Sequence, residues 1–227
     1  MRSALKWLLG VATAAFIVAA FTWAPEMYRP NFATGGSDPW PTFRIVFFHV
    51  PAAWLCVIAF LVSMIWSIKV LRGYAPEKDD KAMASAQLGQ VFAILALISG
   101  MLWAWRDWGA LWNWDPRQSS VLILTLIYAG YFTLRSSIDD PEKRARLAGV
   151  YSILAFITVP FLIFVVPRVM HTLHPSPVIP DAQEKGSMNT DMRVVLYSGV
   201  FCYLGLFAWV MSIRTRIEAV RRRLSTR

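Results

Sequence analysis

The sequence predicts an all-α integral membrane protein, a bundle of six transmembrane helices with a tryptophan-rich outer loop segment. Three observations predict it. Of 227 residues, 56% are hydrophobic and only 16% are charged, whereas a soluble domain averages about a quarter charged. The apolar residues gather into six runs, long enough to cross about 30 Å of hydrocarbon. The charges fall in short blocks between those runs, as expected of membrane loops. The formal net charge is +9, but no basic stripe lines one face, so nucleic-acid binding is set aside. No repeat or low-complexity segment divides the chain, and residues 1–227 read as a single six-span domain.

The first run, residues 5–23, follows Arg2 and Lys6. A cleaved signal peptide would fit Val18-Ala19-Ala20 as its end, but the length favours a retained span. Residues 24–42 are rich in Pro, Gly and polar side chains and read as a loop. The second span, residues 43–71, exceeds about 40 Å at 1.5 Å per residue, so its outer end, with His49 and Pro51, should project. Residues 72–81 form a charged turn, and residues 82–105 form the third span, with Gln87, Gln90 and Ser99 as sparse polar positions. The fourth span is 119–134, followed by a second charged turn at 135–146. Span five, 147–169, should be kinked or bounded by Pro160 and Pro167. A loop over 170–192 carries His171 and His174, and the sixth span, 193–213, leads into a basic tail at 214–227.

Orientation follows from the positive charges. The N-terminus, the two charged turns and the tail hold 16 Lys and Arg, and the opposite loops hold 7. Acidic residues divide 7 and 7. The positive-inside rule then places both termini in the cytoplasm, and all three histidines and the tryptophan-rich segment outside.

That segment, residues 103–117, reads WAWRDWGALWNWDPR and contains five of the eleven tryptophans. Tryptophan offers a large flat apolar surface with one hydrogen-bond donor, suited to a membrane interface or a flat ligand. An interfacial belt spreads its aromatics over many span ends, whereas these five lie within twelve residues, interleaved with charge. Two imidazoles and a wall of indoles would suit a haem, with the imidazoles on opposite faces of the iron. Arg44, Arg117 or Arg168 would then neutralise propionates. A rival reading makes a zinc site of His49, His171 and His174, the last two one helical turn apart. A transmembrane cytochrome b would need histidines at two depths, and the inner side has none. Cys56 and Cys202 stand alone in apolar runs. Without CxxC or CxxCH, thioredoxin-like chemistry and covalent c-type haem attachment are excluded.

The combination of three motifs in order resembles the CcmC family of haem-handling proteins in bacterial cytochrome c maturation. Trp108-Gly109-x-x-Trp112-x-Trp114-Asp115-x-Arg117 matches its WWD motif, although Leu111 stands where adjacent tryptophans are common. Residues 44–54 (RIVFFHVPAAW) resemble its first histidine region, and His171-Thr172-Leu173-His174 its last outer loop. The resemblance covers nearly the whole chain. It implies His49 and His174 as the two axial ligands of non-covalent haem, with Trp108, Trp112, Trp114 and Asp115 in the haem platform. No role carries over to His171, which leaves the choice between it and His174 open.

The implied function is to hold haem at the periplasmic face of the inner membrane and pass it to the haem chaperone CcmE. The small membrane protein CcmD and the transporter subunits CcmA and CcmB are the further implied partners. No bond-making residue is expected of this chain, and CcmE attaches haem through its own histidine. Two other classes stay in view. A transporter exporting haem or another solute should show ionisable or broken-helix features at mid-membrane, and the spans offer little beyond Gln87 and Gln90. A larger haem-lyase enzyme shares the tryptophan motif, but this chain is short and lacks further histidine-bearing spans.

Overall fold

A computed structural model describes residues 3–23, 28–30, 37–39, 42–174 and 190–225. Six of its helices are long and apolar enough to cross a membrane, over Ala4–Thr22, Phe43–Arg72, Pro76–Trp108, Pro116–Ser136, Pro141–Val169 and Thr190–Leu224. The chain is therefore a multi-pass membrane protein of the predicted class. The bundle comprises α1 (Ser3–Val18), α2 (Val46–Arg72), α3 (Pro76–Trp108), α4 (Pro116–Ser136), α5 (Pro141–Pro160), α6 (Val166–Val169) and α7 (Thr190–Ser225). The loop after α1 holds two short strands, β1 (Tyr28–Pro30) and β2 (Ser37–Pro39), paired antiparallel with Arg29 opposite Asp38. The sequence reading had only a loop there. Most of the 175–192 part of the last outer loop lies outside the described residues.

The helices run further than the apolar segments, and the charged turns shrink accordingly. Residues 76–81 belong to α3, which starts with Pro76 and carries Glu77 and Asp79 in its first turn. Proline fits the first helical position, and acids there complement the helix dipole. Asp140 caps α5 by accepting the Lys143 N–H at 2.6 Å, with Pro141 next. The basic tail is likewise helical to Ser225. Span five is interrupted at its prolines: Pro160 is followed by a π-helical turn over Phe161–Val165, and Pro167 sits in the first turn of α6. Proline removes a backbone donor, and the looser turn absorbs the mismatch.

The α2–α3 contact is the most extensive in the bundle. Lipid tails are as apolar as leucine, so helices in a bilayer gain by close approach of small residues. The buried face of α3 has that character: Ala82, Ala86, Gly89, Ala93, Ala96 and Ala104. At Gly89 a Cβ would lie 2.5 Å from the Phe60 ring. Phe60 in turn stacks on Tyr128 of α4, ring centroids 3.4 Å apart.

One end of the bundle is fastened by charge. Arg135 near the end of α4 forks onto both oxygens of Asp79 at 2.7 Å, and both side chains are buried. Arg222 of α7 pairs with Asp80 and with Glu77 of α3, and Arg214 donates to the Gln87 carbonyl oxygen at 2.6 Å. Arg135→Ala strands the Asp79 carboxylate and is expected to cost about 3–5 kcal/mol. Arg146→Ala removes only the exposed pair with Glu142 and should cost no more than about 0.5 kcal/mol. Unfolding of both variants by dodecyl sulfate in mixed micelles, followed by circular dichroism, measures the difference.

Candidate functional site

The opposite end of the bundle gathers the histidines and the tryptophan-rich segment. His49, in the first turn of α2, lies against α3. Its Nδ1 is 2.9 Å from the Ser99 hydroxyl oxygen. The ring fits because residue 100 is glycine: a Cβ there would sit 3.1 Å from His49 Cε1. His174 approaches from the segment after α6. Its ring centroid is 6.4 Å from that of His49, with the planes 33° apart. The Trp103 ring on α3 is 5.8 Å from His174. Three separate elements thus converge on one pair of imidazoles.

The tryptophan-rich stretch divides in two. Trp103, Trp105 and Trp108 occupy the last turns of α3, and Trp103 meets Trp108 edge-on at 4.8 Å. Gly109, at φ 79°, ends the helix in the left-handed conformation that suits glycine. Trp112 and Trp114 follow in the 109–115 connection and meet edge-on at 5.6 Å. Trp114 has φ 54°, a strained backbone for a bulky residue, and the residue is 77% exposed. Gln118 holds this connection from α4: its side-chain oxygen accepts the Asn113 N–H at 3.1 Å, and its amide donates to the Leu111 carbonyl at 3.2 Å.

Asp115 is buried, and its carboxylate is taken up by hydrogen bonds within the protein. Oδ1 accepts the Arg117 N–H at 2.9 Å and so caps α4. Oδ2 accepts the Thr172 hydroxyl at 2.7 Å and the Leu173 N–H at 2.8 Å. The Thr172 oxygen then accepts the His174 N–H at 3.1 Å. One buried carboxylate therefore joins the start of α4 to the segment that carries His174.

The arginines differ in what they hold. Arg44 donates to the Phe21 carbonyl at 2.6 Å and Arg168 to the Phe164 carbonyl at 2.7 Å. The Nε of Arg117 is buried without a hydrogen-bond partner among the described residues. Arg117 is within electrostatic reach of His49, Asp115 and Arg168. Of the three candidate arginines it is the one with a buried Nε left open. His171 is exposed, and among the described residues no three His, Cys, Asp or Glu side chains are placed to hold a metal. The zinc reading treated 171–174 as one helical turn, but α6 ends at Val169. Cys56 and Cys202 are buried and unpaired with each other, in apolar clusters.

The 103–117 platform reading covered Trp103, but sequence reasoning did not assign Ser99, Gly100 or Thr172 to the site. A signal existed for Ser99 and Gly100, because they share a helical face with Trp103 by their spacing. Thr172 stood in the quoted His171–His174 motif, but nothing there pointed to Asp115 as its partner.

Replacing Asp115 by Asn exchanges one acceptor oxygen for a donor and should loosen residues 170–174 by about 1–3 kcal/mol. Thr172→Val should loosen them by about 1 kcal/mol. Hydrogen exchange at the Leu173 and His174 amides should accelerate accordingly while α2 and α3 stay protected. Unchanged protection at Leu173 in Asp115→Asn would remove the carboxylate from this role.

A family model described as CcmC, heme exporter protein C, matches residues 1–227. A heme exporter protein C of Bradyrhizobium diazoefficiens is 34% identical over 220 residues, 97% of this chain and 80% of that relative. One from Paracoccus denitrificans is 32% identical over 224 residues, covering 97% and 88%. One from Escherichia coli K12 is 27% identical over 220 residues, covering 93% and 82%. With the whole chain matched and relatives above 30% identity, this protein belongs to the CcmC family, heme exporter protein C.

Proposed function

We propose that this protein binds haem at the outer, periplasmic face of the bacterial inner membrane and presents it to the periplasmic chaperone CcmE during c-type cytochrome maturation. The observation that carries the reading is the imidazole pair. An iron held by two imidazoles through bonds of about 2.0 Å spaces their ring centres a little over 6 Å apart, and His49 and His174 stand 6.4 Å apart. Haem is here the cargo. His49 and His174 are its iron ligands, and Trp103 and Trp108 supply aromatic surface beside His174. The open Nε of Arg117 suits a propionate, while Trp112 and the exposed Trp114 continue the platform toward solvent, where a partner can reach it. Asp115 serves the site from behind, by holding the His174 segment.

The name carried by the relatives, heme exporter protein C, supports haem as the cargo. The excess of Lys and Arg at the other end, 16 against 7, supports cytoplasmic termini. No step of bond-making is assigned to this chain: it orients haem, and the chaperone's histidine forms the bond. CcmD, CcmA and CcmB are the proposed membrane partners. Solute transport by this chain is the weaker reading. The open groove of about 480 Å³ lined by Gln87, Gln90 and Arg214 lies in the half of the bundle away from the histidines.

Detergent-purified protein from haem-replete cells is expected to show a Soret band. His49→Ala and His174→Ala should each lower haem affinity by at least about tenfold, and His171→Ala should leave it unchanged. A wild-type spectrum without haem would sink the site. Joint replacement of Trp112 and Trp114 by Ala should slow transfer to purified CcmE more than it lowers thermal stability. Normal transfer in that double variant removes the platform role.

A further inference from the structure

The His49 imidazole has two nitrogens, and only the one without a proton can bind a metal. Which nitrogen that is depends on the hydrogen bond made by the other. In this bundle Nδ1 faces the Ser99 oxygen at 2.9 Å. The Ser99 hydroxyl has a single proton, and its shortest acceptor is the Leu95 carbonyl at 2.7 Å, with Ala96 O at 3.2 Å. The proton is thus directed along the serine's own helix, and the oxygen presents lone pairs to His49. Were Nδ1 unprotonated, two lone pairs would face each other across 2.9 Å.

We infer that Ser99 is a positioning residue that holds His49 in its Nδ1–H tautomer and leaves Nε2 as the nitrogen offered to iron. The inference rests on His49 being a haem ligand. The neighbouring positions on α3 agree with it. Gly100 clears the space in which the ring lies, and Trp103, one turn beyond Ser99, meets the His174 ring. One helical face therefore sets the tautomer and the seat of the first imidazole and touches the second. Donation from Nδ1 also makes Nε2 a stronger base, and so a stronger ligand.

The test begins without haem. The chain has three histidines, so ¹⁵N-histidine labelling of the apoprotein in detergent gives few signals, and those of His49 are identified by their loss in His49→Ala. Wild type should show the Nδ1–H form, Ser99→Ala a mixture of both tautomers, and Ser99→Thr, which keeps a hydroxyl, the wild-type form. On haem titration Ser99→Ala should bind about tenfold more weakly with a raised iron midpoint potential, Ser99→Thr should restore both, and thermal stability should be the same in all three. An unchanged His49 tautomer in Ser99→Ala overturns the inference and assigns the task to the Ala96 carbonyl beside the ring; the haem reading then still stands. A tautomer shift combined with normal haem affinity in His49→Ala supports the hydrogen bond and overturns the haem reading instead.

Discussion

Close approach of α2 and α3 is the constraint on which the rest of this structure depends. Association of helices in a bilayer lacks the hydrophobic drive available in water and relies on shape and on a few polar contacts. The alanine and glycine face of α3 provides the shape. Polar contacts at the same seam extend it to a third helix: Ser63 of α2 donates to the Ala82 carbonyl at 2.9 Å and meets Ser152 of α5 at 3.2 Å. Phe60 lies over Gly89 and carries the contact on to Tyr128 of α4. The same seam, further along, seats His49 over Gly100. Packing and site geometry are therefore set by one repeated choice of small side chains.

The two ends of the bundle are held by different chemistry. At the basic end, buried or half-buried ion pairs link α3 to α4 and α7. At the histidine end, the links are hydrogen bonds, many of them between side chain and backbone, centred on Asp115 and Gln118. The contrast matches the chain's course. Short turns at the basic end leave little to arrange, whereas the other end must position a 109–115 connection and the segment after α6. Trp114, held in a left-handed backbone by its neighbours, shows how far local preference yields to that arrangement.

Much of this was legible in the sequence. Six apolar runs marked the spans, and charge placement put His49, His174 and the tryptophans at one end. Helix ends were less legible, because hydropathy marks the hydrocarbon layer and not the last hydrogen bond. Pro76 and Pro141 open helices in segments that read as charged turns, and the basic tail stays helical beside its partners on α3. The supporting contacts of the site were less legible: spacing groups Ser99, Gly100 and Trp103 on one helical face but does not say what that face meets. Ser99 is 50 residues from His49, and Thr172 is 57 from Asp115, separations that carry no local pattern. The motif aspartate read as part of the haem platform, and its hydrogen bonds to Thr172 and Leu173 are what the sequence could not show.

The route by which each imidazole is fastened makes the pair mechanically unequal. His49 is part of a long helix seated in the tightest seam of the bundle. His174 belongs to a short non-helical segment tied back through Thr172 and Leu173 to one carboxylate. The arrangement is a vice with one fixed jaw and one movable jaw. Release of the Asp115 tether frees the His174 segment to move without repacking α2 against α3. Because that tether is also the cap of α4, displacement at the tryptophan connection and displacement of His174 share a single pivot.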